Sequence, residues 1–459
     1  MSGRTRPAVR PGGAAAVVLG VLALVVFALT ASRGVSSVDV VSVDLGSWRI
    51  ATTGSPWLDD VRPDQLPAKP ARDELWTTTN ADNGHEVVAR SVGAVLVAVP
   101  AYWVADRLFP GDRDRLPLRP GGITAAVLAA LALVLLLRSL AGQVDGRTLV
   151  LAGCALAFTT PFWSIVGHDL WPHALTVLGL AGMAWASSGR RWWLAGLFGG
   201  IGLLGRLHFA FLVAAFGLVL AWRHRDPWVA VRVAGTSLPF VALSSLCGRV
   251  LYGSWNPNAG YRMGELSGWA QTQDALDRLT GLLGLFFSPG VGLFVWTPAL
   301  LLVLPAVVRS WRGLPAWTTA LLAGAGVYLA VQWWLNPFDG GAAFWGYRIT
   351  VEAVVAAFPA VVLSVPRMGA AARRLLPAVL GVQLGVIALG AIAGLGILTD
   401  DAWHANAVLH ALRIAPAVVV AAVLCGIALA YCVRGLVRQL PDAWLDPPVG
   451  CDAELVQTG

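Results

Sequence analysis

The chain has 459 residues, of which 57% are hydrophobic and only 13% charged. A soluble domain carries roughly half apolar residues, and here apolar runs of about 17–25 residues recur along the whole length, so lipid is the solvent for most of the protein. The formal net charge of +7 resides largely in arginines of short loops between apolar runs, where basic residues orient helices, so it is not a nucleic-acid signature.

The first apolar run, Gly12 to Ala31, follows MSGRTRPAVR. It is long, and no A-x-A cleavage site follows it, so it is expected to be an uncleaved first helix with residues 1–11 in the cytoplasm. Further spans are predicted at 121–139, 147–164, 171–187, 191–205, 207–222, 229–251, 281–308, 314–334, 349–365, 374–397 and 409–433. The pair across 191–222 is short for two crossings and is expected to kink at Gly205-Arg206. Segment 90–109, RSVGAVLVAVPAYWVADRLF, is apolar enough to cross. If it re-enters the outer face instead, the arginine clusters at 187–191, 223–226, 309–312 and 366–374 all face the cytoplasm. The expected fold is therefore all-α and polytopic, with about twelve transmembrane helices, a re-entrant segment and both termini inside. Residues 12–434 form the membrane domain, with outer loops at 32–120 and 252–280, and 435–459 form a disordered cytoplasmic tail. Lys69 is the only lysine among 33 basic residues, and with the load of Ala, Gly and Val this points to a GC-rich bacterial genome and a bacterial plasma membrane.

With that topology the polar residues collect on the outer face. SSVDVVSVDLGSWRIATTGSPWLDD (36–60) reads as a short amphipathic helix at the interface, carrying Asp39 and Asp44. Five residues of helix turn the chain through about 500°, so the two side chains diverge by roughly 140° and cannot serve one atom. Asp39, flanked by valines, is the costlier charge to leave idle. NGHEVVAR (83–90) brings together His85, Glu86 and Arg90, and if helical it pairs Glu86 with Arg90. Its spacing matches no metal motif. His168 and Asp169 are adjacent at the outer end of a span, and Arg206 with His208 falls between two apolar helices, where an arginine needs a partner such as a lipid phosphate. In the loop 252–278, Tyr252 and Tyr261 offer aromatic faces beside Asn256 and Asn258, a combination suited to a sugar or to a plain interfacial belt. WGYR (345–348) places Trp345 and Arg348 at the outer start of a late helix, where arginine can grip a phosphate or anchor the helix.

The ensemble resembles the GT-C superfamily of integral-membrane glycosyltransferases, including its bacterial mannosyl- and arabinosyltransferase-like members. An uncleaved first helix, an outer first loop with acids on a juxtamembrane helix, and a many-helix bundle carry the likeness. So do LFFSPGVGLFVWTPALLL (285–302) and WGYRITVEAVVAAFP (345–359). The resemblance implies an inverting transfer from a polyprenyl-phosphate sugar to an extracytoplasmic glycan, lipid or protein acceptor. Asp39 or Asp44 would be the base and Arg348 the phosphate holder, and a divalent cation such as Mg or Mn could neutralise the leaving phosphate in arginine's place. The chain departs from the family in having no adjacent acid pair directly after the first helix; Asp59-Asp60 comes about twenty residues later. Two other classes compete. A transporter or lipid flippase should show internal repeats and charge near mid-membrane, and a non-catalytic scaffold should need no outer carboxylate.

Overall fold

In the computed structural model, the structure describes residues 13–32, 37–67, 69–109, 115–261, 270–341, 344–394 and 401–440. The protein is mostly helical and multi-pass. Six helices are long and apolar enough to cross a membrane: α1 (Gly13–Thr30), α4 (Arg119–Leu140), α9 (Pro227–Tyr252), α12 (Ala316–Leu335), α14 (Ala370–Ala393) and α16 (Pro416–Gln439). Shorter apolar helices α5 (Gly146–Thr159), α7 (Trp192–Gly205) and α8 (Phe209–His224) stand among them. The bundle also holds α2 (Val38–Thr53), α3 (Val92–Leu108), α6 (His173–Ser188), α10 (Ala275–Phe287), α11 (Ala299–Ser310), α13 (Val351–Ser364) and α15 (Ala407–Ile414).

Helix α6 packs on α4 and α7, α7 on α9, α8 on α12, and α14 on α16. The last pair approaches closely because Gly381 and Gly385, four apart on α14, meet Ile427 and Ala422 of α16, with Gly426 of α16 set against Gly381 and Gly385. Small residues at that spacing let helix backbones touch where no hydrophobic effect drives association.

Four expectations are corrected. The span 281–308 is not one helix: it breaks after Phe287, makes a single turn at Leu293–Trp296 and resumes at Ala299. Pro289, Gly290 and Pro298 fall in the breaks, where missing N–H groups and loose backbone interrupt the ladder. The span 409–433 is divided before Pro416, and its helix continues through Gln439, past the expected boundary at 434. Residues 1–12 and 441–459, including most of the expected tail, lie outside the described residues. The amphipathic helix of the first loop is α2, but it is buried from Val40 through Arg49 rather than laid on an interface. NGHEVVAR is not helical. Glu86–Val88 (β2) pairs antiparallel with Thr77–Thr79 (β1), and Gly84 takes a positive φ of 76° in the turn between them. Consequently Glu86 and Arg90 do not pair.

Candidate functional site at one end of the bundle

Helix α2 starts at Ser37, whose side chain accepts from the Asp39 backbone N–H, and it ends at Gly54 in the left-handed region. That cap sets Asp39 in the first turn, where the helix dipole favours an anion. The hairpin delivers Arg90 two residues after β2, its guanidinium 4.3 Å over the Trp76 ring. Arg348, just before α13, lies 4.7 Å over Trp171. The two arginines converge on one carboxylate: Arg90 Nη2 donates to Asp39 Oδ1, and Arg348 Nη1 donates to Oδ2 at 2.5 Å. The three side chains keep 10%, 19% and 14% exposure for Arg90, Asp39 and Arg348, so the cluster sits at an opening and not in a sealed core. Burial pushes the Asp39 carboxyl up, but the charges of Arg90 and Arg348 overcome it and hold the group well below the usual carboxylate range.

Behind this triad lies a second cluster built around the buried Glu352. Glu352 Oε1 accepts from Thr176 Oγ1 at 2.8 Å and from the Tyr328 hydroxyl at 3.2 Å, and lies 2.7 Å from His173 Nδ1. Gln332 Nε2 donates to the Tyr328 hydroxyl at 2.9 Å, and Asn336 donates to Gln332 Oε1 at 2.6 Å. His208 stacks on Tyr328 with centroids 5.2 Å apart, and Arg206 lies beside Tyr328 and Glu352. Several buried polar atoms here have no hydrogen-bond partner among the described residues: Arg206 Nη1, His208 Nε2, His173 Nε2, Arg348 Nε, Arg90 Nε and Glu352 Oε2. Buried polar groups are normally paired, so three unpaired guanidinium nitrogens, on Arg90, Arg206 and Arg348, describe a place equipped for an anion.

Asp44 faces elsewhere. It is 1% exposed, with Tyr102 and Asp169 as neighbours and Gly121 so close that a Cβ there would overlap its carboxylate. Burial raises its pKa well above the ordinary value, the Tyr102 hydroxyl partly opposes this, and the charge of Asp169 adds to it. Asp169 is 3.2 Å from His168 Nδ1, and His168 Nε2 lies 3.1 Å from the Ala391 carbonyl.

The remaining sequence candidates scatter. His85 lies 3.0 Å from Asp59 and stacks on Trp57, while Glu86 binds Arg72, both on the surface of the first loop. Asn256 and Asn258 form a turn in which Asn256 Oδ1 accepts from the Asn258 N–H at 2.9 Å. Trp345 is a packing residue, its indole donating to Val386 O at 2.9 Å. Tyr252 and Tyr261 support the site from behind: the Tyr252 hydroxyl reaches the carbonyls of Val88 and Arg90, and the Tyr261 hydroxyl donates to Gly205 O at 3.2 Å. Glu352 escaped sequence reasoning, although a lone acid inside the apolar run of α13 is a signal in itself.

An apolar cavity of about 320 Å³ adjoins Arg90, walled by Ile50, Val92, Val95, Leu246 and Val250. The surroundings of Asp39 do not fit a divalent cation, because both its oxygens already face guanidinium groups. Among the described residues no group of three or more His, Cys, Asp or Glu could hold a metal.

Fold and site together define a multi-pass helical membrane protein with an arginine-bound aspartate at one end of its bundle. No family model and no curated protein matches the chain. Among solved structures it is similar to the crystal structure of ArnT from Cupriavidus metallidurans in the apo state, at 14% identity and a TM-score of 0.48, over 92% of this chain and 76% of that one.

Proposed function

We propose that the chain is an inverting glycosyltransferase of the GT-C kind, moving a sugar from a polyprenyl-phosphate donor to an extracytoplasmic acceptor in a bacterial plasma membrane. The observation that carries this is the Asp39 carboxylate held between Arg90 and Arg348, with an apolar cavity on the Arg90 side. A phosphate with a hydrocarbon tail matches both halves of that arrangement. In this reading the chain crosses about twelve times, the helix Val92–Leu108 stays on the outer side, and the loops 32–120 and 252–280 face outward.

The arrangement also supplies a sequence of events. In the resting protein Asp39 is a weak base, because two guanidinium groups stabilise its anion. A donor phosphate that takes those guanidinium groups removes the cause of the low pKa, so Asp39 becomes basic when the donor is in place. The acceptor oxygen then attacks the anomeric carbon and its proton passes to Asp39. The bond from that carbon to the phosphate oxygen breaks, and the electron pair leaves on polyprenyl phosphate beside the arginines. A single displacement inverts the configuration.

The buried Glu352 cluster is the one feature that favours a transporter, because charge inside a membrane marks transport pathways. Its position argues for the transferase. His173 opens α6, Glu352 is the second residue of α13, Tyr328 and Gln332 lie near the end of α12, and Arg206 directly follows α7. All belong to the end of the bundle that holds Asp39, so they back that site.

The test is Asp39→Asn in the native host, with envelope glycans and polyprenyl-phosphate sugars profiled by mass spectrometry at checked protein abundance. Loss of one glycan with accumulation of its lipid-linked donor is expected. A profile identical to wild type, where full deletion has a phenotype, would sink the transferase reading.

A further inference from the structure

Four helices have one end at the Asp39 site and the other at a separate cavity. Gly121 of α4 abuts Asp44, His173 of α6 meets Glu352, Phe209 of α8 packs on Tyr328, and Tyr328 itself belongs to α12. At their far ends Ser139, Ser187, His224 and Trp317 line a cavity of about 580 Å³. Ser187 is 14 residues along α6 from His173, roughly 21 Å of helix, so the two places lie on opposite sides of the bundle.

Cationic and polar side chains share the lining of this cavity with indoles. Arg190 and His224 face it, with Trp192 and Trp317 as indole walls and Gln143 at its rim. His224 rests on Trp192 with centroids 5.1 Å apart. Arg190 and Arg223 both act electrostatically on His224, and Asp226, an acid that also acts on it, is engaged in capping α9 through the Trp228 N–H at 3.0 Å. Arg190 and Arg225 both sit in the left-handed region, with φ of 54° and 53°, where residues other than glycine are uncommon. Ser187 lines this cavity and is 2% exposed, and its hydroxyl has no hydrogen-bond partner among the described residues. Its neighbour Ser188 is satisfied by the Trp185 carbonyl at 2.8 Å, and Gln143 by the Ser139 carbonyl at 2.7 Å. Among the cavity's lining residues, Ser187 alone keeps a buried hydroxyl without a partner among the described residues.

We infer that this cavity is a second binding site, for an anionic phosphate headgroup, with Arg190 and the Ser187 hydroxyl as its donors and Trp192 and Trp317 against the ligand's apolar part. A basic pocket between membrane helices recognises lipid headgroups in this way, and a soluble phosphate ester presents the same oxygens. The cavity is much larger than one phosphate needs, which favours a headgroup with part of its glycerol or ester linkage.

The experiment is native mass spectrometry of the full-length protein, titrated separately with phosphatidylglycerol, phosphatidylcholine and inorganic phosphate. One saturable phosphatidylglycerol adduct is expected, with phosphatidylcholine binding far more weakly. Arg190→Gln should weaken that adduct about fivefold. Ser187→Ala, a smaller change at a small site, should weaken it by a lesser factor, and it gives a second reading if the arginine variant unfolds. Saturable inorganic phosphate that is sensitive to Arg190→Gln, without a phosphatidylglycerol adduct, would keep the site and assign it to a soluble anion. Binding of neither, equal binding of the two phospholipids, or adducts unaffected by both variants would overturn the inference.

Discussion

Asp39 and Asp44 lie on one helix, five residues apart, and meet opposite environments. Asp39 keeps a partial opening to solvent and is held as an anion by Arg90 and Arg348. Asp44 points across the helix into a dry wall made by Gly121 and Tyr102, with Asp169 as a repelling neighbour. The carboxyl chemistry is identical, so the difference lies entirely in what the rest of the chain brings to each side of the helix. Burial opposes charge at both positions. At one, paired cations outweigh that penalty; at the other the Tyr102 hydroxyl offsets it only in part. The surroundings thus favour the charged form at Asp39 and the neutral form at Asp44.

The sharpest way to break this contrast is to neutralise Asp39. Asp39→Asn keeps the shape and removes the base, and transfer should fall by about a hundred- to ten-thousandfold in a membrane assay with lipid-linked donor. The partners come next. Arg348→Ala removes one donor from the leaving phosphate, for an expected loss of about a hundred- to thousandfold. Arg348→Lys should fall between that variant and wild type, since lysine restores the charge without the planar fork. If Arg348→Ala left turnover intact, Asp39 would not owe its state to that arginine.

Much of this site could be read from the chain, but the connections could not. Asp39, Arg90, Arg206 and Arg348 each stand out because a charge amid apolar residues needs a reason. That they converge depends on contacts across up to 309 positions, which no local pattern carries. Helix runs were legible from length and hydropathy, whereas the interruption at Ser288–Pro298 was not, although SPGVG and TP are breaker signals, because the apolar run continues through them. The hairpin was hidden differently. TTTN and NGHEVV carry strand and turn residues, yet Glu86 and Arg90 at a spacing of four imitate a helical pair. Glu352 is masked in the sequence because VEAVVAAFP reads as an apolar helical run with a single acid near its start.

Glu352 tests whether the second cluster supports the first. Glu352→Gln keeps a side-chain acceptor near Thr176 and Tyr328 but removes the charge facing His173 and Arg206. The unpaired buried partners should lower unfolding stability by about 1–3 kcal/mol, read as a fall in the melting midpoint of the detergent-purified protein. Turnover should drop less than in Asp39→Asn, because Glu352 lies behind the Asp39 cluster and acts through its charge on Arg206 and His173. A loss as large as that of Asp39→Asn, in protein of normal melting midpoint, would move Glu352 into the reacting layer and weaken the claim that only Asp39 is the base.

The smallest effect belongs to Asp44, and its sign sharpens the comparison most. Asp44 is expected to be protonated in the folded protein near neutral pH, so Asp44→Asn replaces a neutral acid by a neutral amide, and turnover should stay within about threefold of wild type. The two aspartates then make opposite contributions to stability against pH. The Asp39 pKa is depressed below its ordinary value of 3.8, so its contribution is present above that value and is lost as pH falls. The Asp44 pKa is raised above the same value, so the folded state binds the extra proton, and stability is lost as pH rises from 3.8 through the folded-state value. Asp44→Asn should therefore flatten the alkaline side of the melting profile and leave the acid side, which Asp39 governs, unchanged. A profile that flattened on the acid side instead would mean that Asp44 is charged in the folded protein, and that both carboxylates must be weighed as bases.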